Sequence, residues 1–551
     1  GVVDAASVSV EASFFELGGN SLRAVTLARG LSAALGREVG VAEVLGKRTA
    51  AALAEGCAAD TFSTRLPPLT ARIRPPSFSS ALASASFQQA QMLVFQLADP
   101  ESTLYNMPEL LPLAASTSFD GVRPALQQLA ARHAALRTVY AVAESAISQI
   151  LLPAVGLEIP AFDVSAREAA DAAFDLLNEP PLRGLHVMHD GTPILVLNLH
   201  HIVTDHQSTP VLVKDLLALM SRTPLPSLEL QYADYALWQS ECRSIQGVDE
   251  HLEWWRRRLA DVPHYLEMPL DAPRPAVQQN DTARAVSISV EAESAQALHT
   301  LCRSEGTTLN VGLLALWGAF LGRHAGAREV LIAQPHSLRH DERLRGVIGY
   351  FHTVLPLVHV AEASHSSAHA FRAMHSEFVQ ALQHSQAVAF QEIVSAVSPA
   401  RSSGYSPLCQ ASLVYHAAET IQEDRAAYAQ AADDGPEAPA EPAESGVEHA
   451  RALKVSFDLA IYFWDGAGGE LEGVTGYDGA IFSASTARAM MARLACMLRA
   501  VANTPEGVLS QVSIMPEAEA ARVLWRFNDT GAAWPTEACV HELVGAQAAR
   551  T

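Results

Sequence analysis

The chain is poor in cysteine: its six residues (Cys57, Cys242, Cys302, Cys409, Cys496 and Cys539) are scattered over 551 positions with no C-x-x-C pair. That scatter excludes a disulfide framework and leaves no familiar zinc spacing. Long apolar runs are missing too. None approaches the ~20 residues of a membrane-crossing helix, and the opening GVVDAASVSV has neither the basic start nor the apolar core of a secretory signal. Positive charge is also in deficit, with 38 Lys and Arg against 60 Asp and Glu, a net charge of −22 and a pI near 5.4. So negative a chain suits neither nucleic acid nor an anionic membrane surface. These absences predict a reduced, cytoplasmic protein. Hydrophobic residues make up 49% and charged residues 18%, enough apolar material for large cores, and the length predicts three or four domain-sized units.

The chemistry concentrates in Ile194–Ser208, ILVLNLHHIVTDHQS. The apolar run carrying Ile194 and Val196 after Gly191 and Pro193 predicts a buried strand. His200 and His201 then stand where that strand leaves the core. An imidazole titrating near pH 6.5 can take or share a proton at cellular pH. Asp205 is placed to orient the loop through a hydrogen bond or a buried ion pair. Two plainer readings stand beside this one: histidines satisfied within the core, or a metal site made by His201, Asp205 and His206. Of these, no second ligand cluster supports the metal.

Residues 1–60 read as a small helical unit, with helices over Leu22–Leu35 and Thr49–Cys57. In FFELGGNSL, Gly18 and Gly19 permit a tight turn that sets Ser21 at a helix N-terminus, where a phosphate is favoured; as plain structure, Asn20 or Ser21 is an N-cap. Residues 61–80, rich in Pro and Ser, read as an extended linker, whose eighteen or so residues span up to about 60 Å and let the small unit relocate. From 81 to 515 helical and strand-like segments alternate, predicting an α/β or α+β fold. Residues 423–448, acidic and rich in Ala and Pro, have little to bury and are expected to be a disordered insertion.

FFELGGNSL resembles the loop of peptidyl carrier domains, and LHHIVTDHQS resembles the signature of the condensation domains of nonribosomal peptide synthetases, His-His, three residues, Asp-Gly. Further stretches follow that family's order: Ser86-Phe-Gln-Gln89, Arg132-His133 through Arg137-Thr138, Tyr232 through Trp238, Ile348-Gly349-Tyr350-Phe351 and Ser406-Pro407-Leu408. The resemblance implies a peptidyl carrier domain (1–60), a linker (61–80), a condensation domain (81–515, lobes about 81–255 and 256–515) and the start of an adenylation domain (516–551). Its fold would be a small all-α carrier bundle joined to a large α/β two-lobed domain similar to chloramphenicol acetyltransferase, with the active site in a tunnel between the lobes. It makes His201 the catalytic residue, His200 and Asp205 its structural support, Arg137 the candidate partner of Asp205, and Ser21 the attachment point of 4'-phosphopantetheine. It implies as partners a downstream aminoacyl carrier, upstream and downstream adenylation domains and a phosphopantetheinyl transferase. The reaction implied is transfer of an aminoacyl or peptidyl group from the arm on Ser21 to an amine on the downstream carrier.

The chain departs from the family pattern in several places. Gln91 and Leu93 replace the usual Arg and Trp, His352 and Thr353 replace Val-Asn, and His206 replaces the signature glycine. The last brings a Cβ and an imidazole to a place where positive φ or open space is expected. An epimerisation domain, a catalytically silent module that recruits partners, and a stand-alone acetyltransferase using coenzyme A are the competing readings. WRFNDTGAAWP (525–535) resembles the opening of an adenylation domain, so the chain is expected to belong to a longer assembly line.

Overall fold

A computed structural model describes residues 9–17, 19, 21–35, 39–58, 67–72, 80–113, 119–143, 146–153, 172–189, 192–243, 248–278, 283–362, 364–385, 388–400, 402–417, 457–531 and 537–550. The insertion expected at 423–448 lies outside the described residues.

Three helices form the first unit: α1 (Ser21–Leu35), α2 (Val41–Lys47) and α3 (Ala50–Ala58). They close on Phe15, Ala24, Ala28, Val44, Leu45 and Leu53, all buried. α2 falls where the sequence reading places only a loop; at seven residues it has too few turns for a helical period to register.

The next lobe holds β1 (Ser80–Ser84), α4 (Phe87–Ala98), β2 (Asn106–Pro112), α5 (Phe119–Arg132), β3 (Thr138–Ala143), β4 (Ala146–Leu151), β5 (Leu182–His189), β6 (Thr192–His200), α6 (Ser208–Met220), α7 (Tyr232–Arg243) and α8 (Val248–Leu259). Its strands make two antiparallel three-stranded sheets, β1-β4-β3 and β2-β6-β5. β6 is central in its sheet, so both its edges are paired and its run Leu195–Leu199 is buried throughout; that is why it reads as continuous rather than alternating.

The second lobe holds β7 (Ala283–Val290), α9 (Ala292–Ser304), α10 (Leu309–Ala325), β8 (Glu329–Ser337), β9 (His352–Val360), α11 (Ser367–His384), α12 (Phe390–Val397), β10 (Ala411–His416), β11 (Leu459–Asp465), β12 (Leu471–Asp478) and α13 (Ala484–Asn503). Its sheet runs β7-β12-β11-β10-β8-β9, with β10 parallel to both neighbours and the other pairs antiparallel. α10 is apolar nearly all round and correspondingly buried from Val311 to Gly322, as a helix enclosed on every side must be. Two short helices, α14 (Glu517–Ala521) and α15 (Val540–Ala548), follow. Among the described residues no helix is long and apolar enough to cross a membrane.

The mobile linker expected over 61–80 is corrected for its described part. Residues 67–72 are fastened to the first lobe: the Trp238 indole donates to the Pro67 carbonyl at 2.6 Å, the Arg72 amide to Asp234 Oδ1 at 2.7 Å, and Arg343 to the Leu69 carbonyl at 2.8 Å. The helical unit docks on the second lobe. His375 of α11 donates from Nε2 to the Leu45 carbonyl at 3.1 Å, Phe15 meets the same ring edge-on, and Arg345 donates to Thr26 Oγ1 at 3.2 Å.

Candidate active site

β6 ends by delivering two adjacent imidazoles into opposite environments. His200 is fully buried. Its Nδ1 accepts from the Ile202 amide at 3.1 Å, so its Nε2 carries the proton and donates to Gln96 Oε1 at 3.2 Å. Burial, with His201 and Arg183 nearby, pushes its pKa down to about 3. It is a neutral strut.

His201 begins a short 3-10 turn, and its residue is partly accessible. Its Nδ1 lies 2.6 Å from the Thr204 carbonyl. A carbonyl only accepts, so Nδ1 holds the proton and Nε2 presents a lone pair. Burial lowers its pKa, helped by the charge of His352 and opposed by the Thr204 bond and Asp205. The ring is thereby kept neutral, with Nε2 able to take a proton.

Asp205 is buried and makes every bond a carboxylate can use. Oδ1 accepts from the Ser208 amide (2.8 Å) and Arg339 (3.0 Å) and lies 2.8 Å from Ser208 Oγ; Oδ2 accepts from the Phe351 amide at 3.0 Å and lies 3.4 Å from His352 Nδ1. Burial opposes its charge, but Arg339, His352 and Ser208 overcome this and hold the carboxyl well below the usual range.

Arg137 is corrected as the partner of Asp205. It donates instead to the carbonyl oxygens of Ala130 and Leu152, tying α5 to the end of β4, while Arg339 takes the aspartate. The other motif residues brace the same point. Tyr232 donates to the Tyr350 carbonyl at 2.7 Å and receives Ser86 Oγ at 2.8 Å. A Cβ on Gly349 would sit 2.0 Å from the Tyr232 ring, so only glycine fits. His133 and Arg132 both bind Asp215 of α6, at 2.9 and 2.7 Å. The Tyr350 ring lies 4.8 Å from that of His201.

The His206 ring packs against that of His416 of β10, tilted by 50° with centroids 4.6 Å apart, a contact between the two lobes. Among the described residues no group of His, Cys, Asp and Glu is placed to hold a metal. Sequence reasoning missed Arg339, Ser208 and His352 as members of the site. Arg339 is 134 residues from its aspartate, and nothing local marks it; His352 showed only as a motif departure.

Ser21 is the first residue of α1. The turn before it is tight, with the Gly19 amide donating to the Phe14 carbonyl at 2.8 Å and no room at Gly19 for a Cβ, which would lie 2.4 Å from Phe14. Such a turn brings Ser21 onto a helix N-terminus, which fits a phosphate-linked arm.

Residues 1–57 match the family model for the phosphopantetheine attachment site and residues 81–524 that for the condensation domain. The chain is 30% identical over 98% of its length to a component of the linear gramicidin synthase of Brevibacillus parabrevis, and 29% identical over 97% to malpinin synthetase of Mortierella alpina. It spans only 11% and 7% of those proteins. Its fold is similar to that of the X-domain from teicoplanin biosynthesis in complex with OxyB (TM-score 0.69, 22% identity, 82% of this chain and 99% of that one). It is similar as well to a holo four-domain nonribosomal peptide synthetase bound to AMP and glycine (TM-score 0.69, 22% identity, 82% and 35%). Two lobes of this architecture around a paired-histidine turn, preceded by a phosphopantetheine-attachment unit, place the chain in the condensation-domain family of nonribosomal peptide synthetases.

Proposed function

We propose that the chain forms an amide by joining an acyl group carried on Ser21 to the amine of an aminoacyl group on a downstream carrier. The observation that carries this reading is the His201 ring, held neutral with Nδ1–H tied to Thr204 and Nε2 presented as acceptor. Phosphopantetheine on Ser21 supplies the acyl group as a thioester, already activated, so the step consumes no nucleotide. As the amine adds to the acyl carbonyl, Nε2 of His201 accepts its proton or the hydrogen bond that replaces it, and the proton leaves with the departing thiol. Asp205 does not touch the reactants; with Arg339 it holds the turn that aims His201. Much of the acceleration comes from aligning two tethered reactants between the lobes.

The partners that follow are an upstream adenylation domain loading Ser21, a downstream one loading the acceptor carrier, and a phosphopantetheinyl transferase. Among the described residues five cysteines are free, three of them buried, which supports a reducing compartment such as the cytoplasm.

The test loads Ser21 with an aminoacyl-pantetheine, adds an aminoacylated downstream carrier and weighs the products. Dipeptide falling about 100-fold or more in His201→Ala is expected for loss of a general base; an undiminished rate overturns the role. One observation favours a second reading, a module that recruits partners without condensing: the His206 ring, packed against His416, fills space that a glycine leaves open. Loading without dipeptide across several donors and acceptors, unchanged in His206→Gly, would establish it.

A further inference from the structure

Where the second lobe's sheet meets the His201 turn, its strands end in a row of side chains. Ser337, the last residue of β8, pairs with His352, the first of β9. β10 runs parallel to β8 with Ser412 beside Ala333, and four residues on along both strands His416 comes beside Ser337. On its other side His416 pairs with Trp464 of β11. Cross-strand partners share a face of a sheet, so His352, Ser337, His416 and Trp464 stand side by side on one face. Three of them each meet one residue of the turn: His352 lies 3.4 Å from Asp205, the His416 ring packs against His206, and Ser337 donates to Gln207 at 3.1 Å.

This seam is not sealed. His201, His206, Ser337, His352 and His416 all keep part of their surface accessible, while Thr204, Asp205, Ser208 and Phe351 between them are buried. Four of the accessible side chains are imidazoles. His352 turns Nδ1 to Asp205, and its Nε2 meets no hydrogen-bond partner among the described residues. It lies near enough to His201 for its charge to be felt there, so a substrate group at the seam belongs to a residue whose α-carbon is at the reacting centre.

The carboxylates around the seam are engaged elsewhere. Asp205 is bound by Arg339, Glu109 of β2 accepts from Thr209 Oγ1 at 3.1 Å, Glu472 of β12 from the Trp464 indole at 2.9 Å, and Asp465 of β11 from the Tyr415 hydroxyl at 2.6 Å. An imidazole takes a proton near pH 6.5, and a carboxylate brought beside it favours the charged form.

The geometry points to a substrate class: His206 and His416, with His352 beside them, seat a carboxylate on the side chain of one of the two residues being joined. The inference rests on the condensation reading and specifies its substrate. Acyl donor and amine acceptor both bring an α-carbon to His201, and the test separates them.

Aspartyl and asparaginyl substrates differ in charge at nearly equal size. In one arm Ser21 carries either of them as its thioester against a fixed alanyl acceptor carrier; in the other the donor is alanyl and the acceptor varies. In the arm whose side chain meets the seam, dipeptide is expected to form about tenfold faster from the aspartyl partner at about pH 6, from two partly exposed charge contacts. The preference should decline toward parity by about pH 8 as the imidazoles lose their protons. His206→Gln with His416→Gln should bring the ratio toward one; if that chain makes no dipeptide, His416→Gln alone, which leaves the turn's own sequence intact, reads the same ratio. Ratios near one in both arms of the wild type, a preference that does not fall with pH, or one that survives the substitutions overturns the proposal. A second readout needs no turnover. With isotope-labelled histidine, the His416 imidazole, assigned by its disappearance in His416→Gln, is expected to titrate about half a pH unit higher with aspartyl-pantetheine than with asparaginyl-pantetheine present; an identical titration overturns the seat. Failure of the wild type to make dipeptide from any pair refutes the condensation reading, while the imidazole titration still judges the seat.

Discussion

Asp205 and Arg339 bury opposite charges that neither residue could bury alone, with side chains 0% and 3% exposed. Removing the aspartate leaves a guanidinium enclosed without its counter-ion, at a cost of about 3–5 kcal/mol. Asp205→Ala is therefore expected to lower the denaturant midpoint steeply, and a double-mutant cycle of Asp205 with Arg339 should show coupling that one with Arg137 does not. Gly349→Ala should destabilise by about 1–3 kcal/mol through the clash with Tyr232, measured in the same way, with the strain moving the Phe351 amide off Asp205. The catalytic turn was legible because two histidines and the aspartate fall within six positions, where strand chemistry and a family pattern coincide. The counter-ion was not: an ion pair across 134 residues leaves no periodicity, and Arg137 was offered only by the family resemblance.

At the scale of elements, α11 presents His375 to the helical unit in one protonation state. Its Nε2 donates to Leu45, and its Nδ1 lies 3.0 Å from Thr307 Oγ1, a hydroxyl able to donate to the neutral ring. Burial, with Arg48 beside it, pushes its pKa down to about 4. A free histidine titrates near 6.5. The undocked state therefore binds the proton first, and docking should be unaffected above about pH 6.5, weaken as pH falls, and stop weakening near pH 4, by at most about tenfold per unit. Cross-linking yield between α2 and α11 against pH measures this; a flat profile would show that His375 does not report docking. The linker offers a second check. Trp238→Phe with Asp234→Ala removes two of its fastenings, leaving those of Arg343 and Glu241, and should speed proteolysis at 67–72. Long elements such as α10 and β6 were readable from their apolar runs, while α2 was too short and the linker's composition spoke only of extension. That Pro67 and Arg72 would find Trp238 and Asp234 depends on a fold that brings together residues more than 160 positions apart.

For the whole molecule, the two lobes are joined at several places, Arg258 with Glu377 and Trp255 with the His384 carbonyl among them, and a specific group of contacts lies around the His201 turn. Ser208 exchanges hydrogen bonds with Gly349, Asp205 receives the Phe351 amide, Ser337 donates to Gln207 at 3.1 Å, and the His206 ring packs against His416. Three of these four involve residues 205–207 and the strand ends facing them, so the turn that aims His201 also fixes the lobes' separation. His206→Gly should widen the passage and extend the range of accepted substrates more than it changes the rate on the best one, as read by product mass across a panel of acceptors.

The fastening of residues 67–72 has a further consequence. Only nine chain steps join Ala58 of α3 to Pro67, a reach of at most about 30 Å. A body confined to a sphere of that radius is present at an effective concentration on the order of 10 mM. An interface with a dissociation constant in the millimolar range would then be mostly occupied, yet would release its partner within each cycle. A modest contact of that strength would thus be enough to hold the helical unit on the second lobe and weak enough to let it go.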